Sequence, residues 1–205
     1  MNETKLPHSF YKYFYEDRIE IIRRICREGF TNNILIEMTR ALPVVVTYGS
    51  EGLSGSVKMV GFVPRTGVLM NYVEKAEYLA YKYEFRDTKE IFCKLLENIY
   101  ILEDIDVSAI GGLEMGFKHS WRNIMETGKA TLVFFTPPST SFEVRCVVEI
   151  HDEKNDPYKR YLNALHDIFH ARKGVRSDYP AYIFRIEEIY DNSSRTGGFG
   201  EKIYP

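Results

Sequence analysis

At 205 residues the chain is long enough to bury one sizeable core, and residues 1–205 are expected to form a single domain. A formal net charge of −2 and a pI near 6.2 exclude any general electrostatic attraction to nucleic acid or anionic membranes, leaving only local basic sites. With 15 Tyr and 13 Phe against one Trp, rings should line much of the core and any ligand cleft.

Cys26, Cys93 and Cys146 are odd in number, far apart and set among apolar neighbours. That favours buried reduced thiols over a disulfide framework or zinc site, and a reducing cytoplasm. The first seven residues, Met-Asn-Glu-Thr-Lys-Leu-Pro, lack the apolar centre of a signal peptide. No stretch approaches the roughly 18 apolar residues of a membrane span, so a soluble, unexported protein is expected.

Along the chain, residues 9 to 28 predict an amphipathic helix with Tyr11, Tyr15, Ile19, Ile22 and Cys26 on one stripe and Gly29 ending it. The run from Ile34 to Leu42 fits helix or strand, and Pro43 closes it. From Val44 the texture becomes β. Strands are expected at 44–48, 56–63, 68–72 and 78–85, with a Gly/Ser-rich turn over 49–55 and another at Pro64–Gly67. Connections this short require antiparallel pairing. Asp87 and Glu90 have capping-box spacing and open a helix whose apolar face carries Ile91, Leu95 and Ile99, within an ordered insertion over 78–104.

Strands return at 107–110 and 113–117, interrupted by Gly111-Gly112. A short helix follows at 120–126, then a strand at 131–136. Pro137–Ser141 turns the chain into the strand from Phe142 to Ile150, which alternates apolar residues with Glu143, Arg145 and Glu149. A helix from Asp156-Pro157 to about His170 and a strand at 182–190 complete the body. In the Gly-rich tail, Phe199, Ile203 and Tyr204 suggest a segment that closes over the barrel or reaches a neighbouring subunit.

His166 and His170 stand one helical turn apart, but no third ligand is evident, and a packing pair accounts for them. Gly197-Gly-Phe-Gly200 has no following helix to receive a phosphate, and Gly-x-Ser-x-Gly is absent. The junction from Phe117 to Phe135 is more suggestive. Ser120 offers a hydroxyl, Arg122 a planar cation and the helix start its unpaired N–H groups, a set suited to an anion. The alternative is that Ser120 is an N-cap and Arg122 a solvated charge. Arg145, on the wet side of the strand pairing with 131–136, needs either a ligand anion or a carboxylate such as Glu143, Glu149 or Glu187.

The order of parts resembles the pyridoxamine 5'-phosphate oxidase-like split-barrel superfamily over roughly residues 44 to 192. The match rests on a β-meander, Ser120-x-Arg122-Asn123-Ile124, an apolar strand beginning Gly128-Lys-Ala-Thr-Leu-Val-Phe-Phe135, a hairpin return, a helix and a last strand Tyr182-Ile-Phe-Arg-Ile-Glu-Glu-Ile-Tyr190. The resemblance implies a mainly β fold, an antiparallel split β-barrel with peripheral helices. It also implies a homodimer binding FMN at the subunit interface for electron or hydride transfer. The implied cofactor-binding set is Ser120, Arg122 and Asn123, flanked by Lys118 and Trp121, with a contribution from Arg145. A deazaflavin cofactor is the alternative within the superfamily. A barrel sequestering flavin or haem without turnover, through His119, His166 or His170, is another. The family's substrate-binding Arg and His pattern is not present near the C-terminus, so the substrate is unassigned.

Overall fold

A computed structural model describes residues 6–30, 34–170 and 175–205. The N-terminal segment is one continuous helical run, α1 (His8–Tyr11), a π-helical stretch over Lys12–Glu16 and α2 (Asp17–Glu28), ended by Gly29. It is followed by α3 (Ile34–Glu37), with a 3-10 turn over Met38–Ala41, which settles the ambiguous run as helical. Next come β1 (Val44–Gly49), β2 (Gly52–Val57), β3 (Val60–Pro64), α4 (Leu69–Tyr81), α5 (Thr88–Asn98) and β4 (Ile105–Leu113). Then follow α6 (His119–Thr127), β5 (Lys129–Thr136), β6 (Thr140–His151), α7 (Pro157–His170), β7 (Ala181–Asp191) and β8 (Glu201–Tyr204).

The strands form one antiparallel sheet in the order β2-β1-β5-β6-β7-β4-β3, with β8 added to β7. β2 and β3 lie at opposite ends of this order, yet only Lys58 and Met59 join them. The three Cα–Cα steps from Val57 to Val60 span at most ~11 Å, so the sheet must curl until its two edges come close without pairing. The fold is therefore an antiparallel split β-barrel with peripheral helices.

Alternation assigns the barrel's two faces. Val45, Leu132, Phe134, Phe142, Val144, Cys146, Phe184 and Ile189 point inward and are fully or almost fully buried. The N-terminal helical run fills one end of this interior. Phe10 stacks edge-on to Phe142 at 5.4 Å, Phe14 to Phe134 at 5.4 Å, and Tyr15 lies on Phe62 at 5.4 Å. Arg18 is held between the Phe14 and Phe62 rings and donates to the Val60 carbonyl, tying α2 to β3. A second core lies outside the barrel, where α4 and α7 cover β4 and β7 through Val63, Tyr72, Val73, Leu79, Leu162 and Ile183.

Several expectations change here. Residues 68–72 and 78–85 are not strands: 69–81 form α4, whose buried Leu69, Tyr72, Val73, Ala76 and Leu79 follow helical spacing. The Gly/Ser-rich turn shrinks to Ser50-Glu51, and β2 begins at Gly52. The long strand expected over 56–63 breaks at Lys58-Met59, where the chain changes edge. The strand at 107–110 continues through Gly111-Gly112 to Leu113. As expected, the Asp87 carboxylate caps α5 by accepting from Glu90 N at 2.8 Å. Leu95 and Ile99 are buried, with Ile91 partly so.

Cys26 and Cys93 form a disulfide between α2 and α5, with Cα atoms 4.8 Å apart. This overturns the expectation of reduced thiols, and with it the cysteine argument for a reducing compartment. Only Cys146 is free, and it is buried. The two cysteines lie on helices that the sequence does not juxtapose. The tail returns to its own sheet as β8, with Ile203 and Tyr204 packed on the barrel core. Among the described residues no helix is long and apolar enough to cross a membrane.

Candidate functional site

The mouth of the barrel, where the β2 and β3 edges face one another, is organised by a buried carboxylate. Glu114, just past β4, is 2% exposed and accepts from Lys58 Nζ at 2.8 Å and the Tyr182 hydroxyl at 2.9 Å. It also accepts from the peptide N–H groups of Gly116 and Phe117, at 2.7 and 2.8 Å. Burial pushes this carboxyl upward, but Lys58, the Phe117 N–H and Tyr182 together outweigh it and hold the group below its usual range. Lys58 belongs to the link between the sheet's two ends, Tyr182 to a central strand and Gly116–Phe117 to the approach to α6. One carboxylate thus fixes the split and the start of the helix together.

Phe117 adopts a left-handed backbone (φ 51°) as the chain enters α6. Trp121 on that helix packs edge-on to Phe117 at 5.5 Å and lies 6.0 Å from Tyr182. Ile124 enters the core, and Gly128, at φ 63°, ends the helix in the left-handed conformation that Gly adopts without strain.

α6 lies against the inward side of the β1–β2 hairpin. Asn123 is fully buried. Its amide donates to the Gly52 carbonyl at 2.8 Å and to Thr47 Oγ1 at 3.3 Å, and its Oδ1 accepts from Glu51 N at 3.1 Å. A Cβ at Gly49 would stand 2.7 Å from that same Oδ1, so the helix can approach only because residue 49 has no side chain. The Ser120 hydroxyl lies 3.4 and 3.3 Å from those of Ser54 and Ser56. No side chain caps α6. Arg122 N–H makes the first helical bond, to the Lys118 carbonyl, so the N–H groups of 119–121 open off the helix end.

The structure brings Ser120, Trp121, Arg122 and Asn123 together with Lys118 at the helix start. It gives Arg122 an anion already: Glu51, at the hairpin tip, accepts from Arg122 Nη1 and contacts His119 Nδ1, both at 2.7 Å. The hydrogen bond from Arg122, and then that from His119, lower the Glu51 pKa. Ser120 faces the β2 serines instead of capping its helix. Arg145 stands apart, on the outer side of β6, with the sheet between it and Ser120. It pairs with Glu143 at 2.8 Å and Glu188 at 3.1 Å over the Tyr190 ring. A register shift between β6 and β7 presents Glu188 where unbroken alternation would suggest Glu187.

Sequence reasoning missed Lys58, Glu114 and Tyr182. The one local signal was an acid placed directly after an apolar strand, at Leu113-Glu114. It also missed a property of the outer sheet face. Val44, Tyr48, Leu53, Val57, Phe135 and Val147 are all exposed across β2, β1, β5 and β6, with Tyr48 paired to Leu53 directly behind the Glu51 turn. The imidazoles do not converge: His119 is on α6, whereas His166 and His170 lie 4.8 Å apart on α7.

Topology and site together define a split barrel whose mouth is closed by a helix with an open first turn. No protein-family model matches the sequence, and no curated protein does. Among solved structures the chain is similar to HupZ of Group A Streptococcus, with 14% identity over 77% of this chain and 89% of the other, at a TM-score of 0.45. It is also similar to a candidate pyridoxamine 5'-phosphate oxidase of Lactobacillus delbrueckii (16% identity, 78% and 93% coverage, TM-score 0.43). A third is an F420 reductase (12% identity, 73% and 88% coverage, TM-score 0.42).

Proposed function

We propose that this chain is one subunit of a homodimeric, FMN-dependent oxidoreductase related to the pyridoxamine 5'-phosphate oxidase-like proteins, with the flavin phosphate at the N-terminus of α6. The observation that carries this is the uncapped first turn of α6, standing with Ser120 and Arg122 one hairpin turn from an unpartnered apolar sheet face. The donor set suits a phosphate. It offers peptide N–H groups at the positive end of a helix, a hydroxyl and a guanidinium. Asn123 is saturated by the hairpin and positions the helix without touching the ligand. Glu51 must release Arg122 for the phosphate to bind, which makes it a competitor within the site.

Bound FMN would supply the electron and hydride chemistry, leaving the protein to bind, orient and exclude water. The apolar face supports dimerisation, since a patch spread over four strands is usually covered. Arg145 lies on that same outer side, so its contribution to a phosphate is made across the interface.

Flavin fluorescence quenching tests the phosphate contact. Charge-assisted hydrogen bonds contribute about 1.5–3 kcal/mol, so Arg122→Ala should weaken FMN binding roughly 10- to 100-fold and leave riboflavin, which has no phosphate, almost unaffected. Glu51→Gln should tighten FMN. Equal losses for both ligands remove Arg122 from the phosphate site, and no flavin binding by the native protein overturns the flavin assignment. Leu53→Lys, on the exposed face, should convert the dimer to monomer in size-exclusion chromatography with light scattering.

A further inference from the structure

On the α4–α7 side of the molecule, away from α6, a polar cleft of about 520 Å³ is lined by four cationic and two acidic side chains. Their pairing is uneven. Arg160 is gripped by Glu77 through Nε and Nη2, at 2.9 and 3.0 Å, and is neutralised there. Lys159 is almost fully buried. It donates to the Asp152 carbonyl and carboxylate, both at 3.0 Å, and pairs with Asp178 at 2.9 Å. The Arg176 guanidinium carbon stands over the Tyr81 ring, 4.1 Å from its centroid. Among the described residues, no carboxylate stands within ion-pair distance of Arg176 or Lys154.

The carboxylate that completes the Lys159 shell belongs to a side chain 75% exposed at the rim, while the ammonium it meets is 6% exposed. An exposed acid forms a pair that water and solutes contest, whereas a buried ammonium always needs an anion. Asp152 stays on Lys159 if Asp178 swings aside, but that movement frees a donor position on the ammonium, and with Lys154 and Arg176 unpaired among the described residues the cleft has positive charge to offer. Ammonium and guanidinium donors converging on one volume suit a tetrahedral oxyanion with several charged oxygens.

We propose that this cleft is a second anion site, taking a small phosphate-bearing molecule of the phosphomonoester or diphosphate class. Lys154 and Arg176 hold it at the mouth, and Lys159 meets it at the base, where Asp178 otherwise stands. Asp178 is then an internal competitor. Its removal should strengthen binding, while loss of the mouth cations weakens it.

Isothermal titration of the full chain with sodium pyrophosphate, at constant ionic strength, tests both directions. The native protein should bind with a Kd of about 1 mM or tighter. The double variant Lys154→Ala/Arg176→Ala should lose at least about tenfold, and Asp178→Asn should gain several-fold. Thermal midpoints without pyrophosphate check that each variant is folded, and Lys154→Ala alone serves if the double variant is not. The same three titrations repeated in an Arg122→Ala background, where the α6 site is disabled, should give the same order of affinities, so that the heat read is that of this cleft. No binding at roughly 10 mM overturns the proposal. So does affinity indifferent to the mouth substitutions, or Asp178→Asn binding no tighter than native.

Discussion

Removing the Glu114 carboxylate should loosen the split in the barrel and the entry to α6 in one step. In Glu114→Ala, the Lys58 ammonium, whose side chain is only 14% exposed, loses its anion, and the Tyr182 hydroxyl and two peptide N–H groups lose their acceptor. Breaking a buried ion pair from one side costs about 3–5 kcal/mol. Glu114→Gln keeps one acceptor oxygen but turns an amide NH2 towards donors, so about 2–3 kcal/mol is expected. Against a total stability of roughly 5–15 kcal/mol, either loss is large. Trp121 is the only tryptophan and packs near Tyr182, so its emission during urea unfolding reports on this region. The wild-type stability should also depend on pH. The Glu114 pKa is depressed in the folded protein, so its contribution is fully present above the unfolded carboxylate value of about 4.3 and is lost as pH falls through the lower folded value. A cost below about 1 kcal/mol for Glu114→Ala would refute this account of the mouth, since no buried charge would then have been stranded.

Leu95, 1% exposed beneath α5, should cost about 2–5 kcal/mol on truncation to Ala in the same urea assay, and a neutral result would mean that α5 does not share the outer core. The Cys26–Cys93 bond closes a loop with a sequence separation of 67, for which chain entropy gives about 4 kcal/mol. Cys26→Ser or added reductant should lower the urea midpoint accordingly, and a midpoint indifferent to reductant would count against the bond.

Elements with one strong periodicity were legible in the sequence. The alternation from Phe142 to Ile150 fixes β6 and its faces, and Asp87 with Glu90 marks the start of α5. The segments 68–72 and 78–85 read as strands because their Tyr and Val content favours β structure, while the helical spacing of Leu69, Tyr72, Val73 and Ala76 carries the burial. The Ser120–Arg122 segment was visible as a local pattern. The partners that decide its chemistry were not, because Glu51 reaches Arg122 only after α6 docks on the hairpin. Glu114 likewise meets Lys58 and Tyr182 only once the sheet has curled. Contacts of that kind depend on closure, which leaves no periodic trace in the chain.

The short joint at Lys58-Met59 has a consequence for how the chain is made. The β1–β2 hairpin leaves the ribosome early, but Val45 finds its neighbour only when Leu132 emerges, and Phe62 waits for Ile110. Until then the side of β1 that β5 will pair and the side of β3 that β4 will pair are bare. Sheets dominated by such distant pairings fold slowly and expose sticky intermediates. Lesions in β5, the strand that pairs with the waiting hairpin, should therefore lower the yield of soluble protein during synthesis by more than their effect on the finished barrel would suggest.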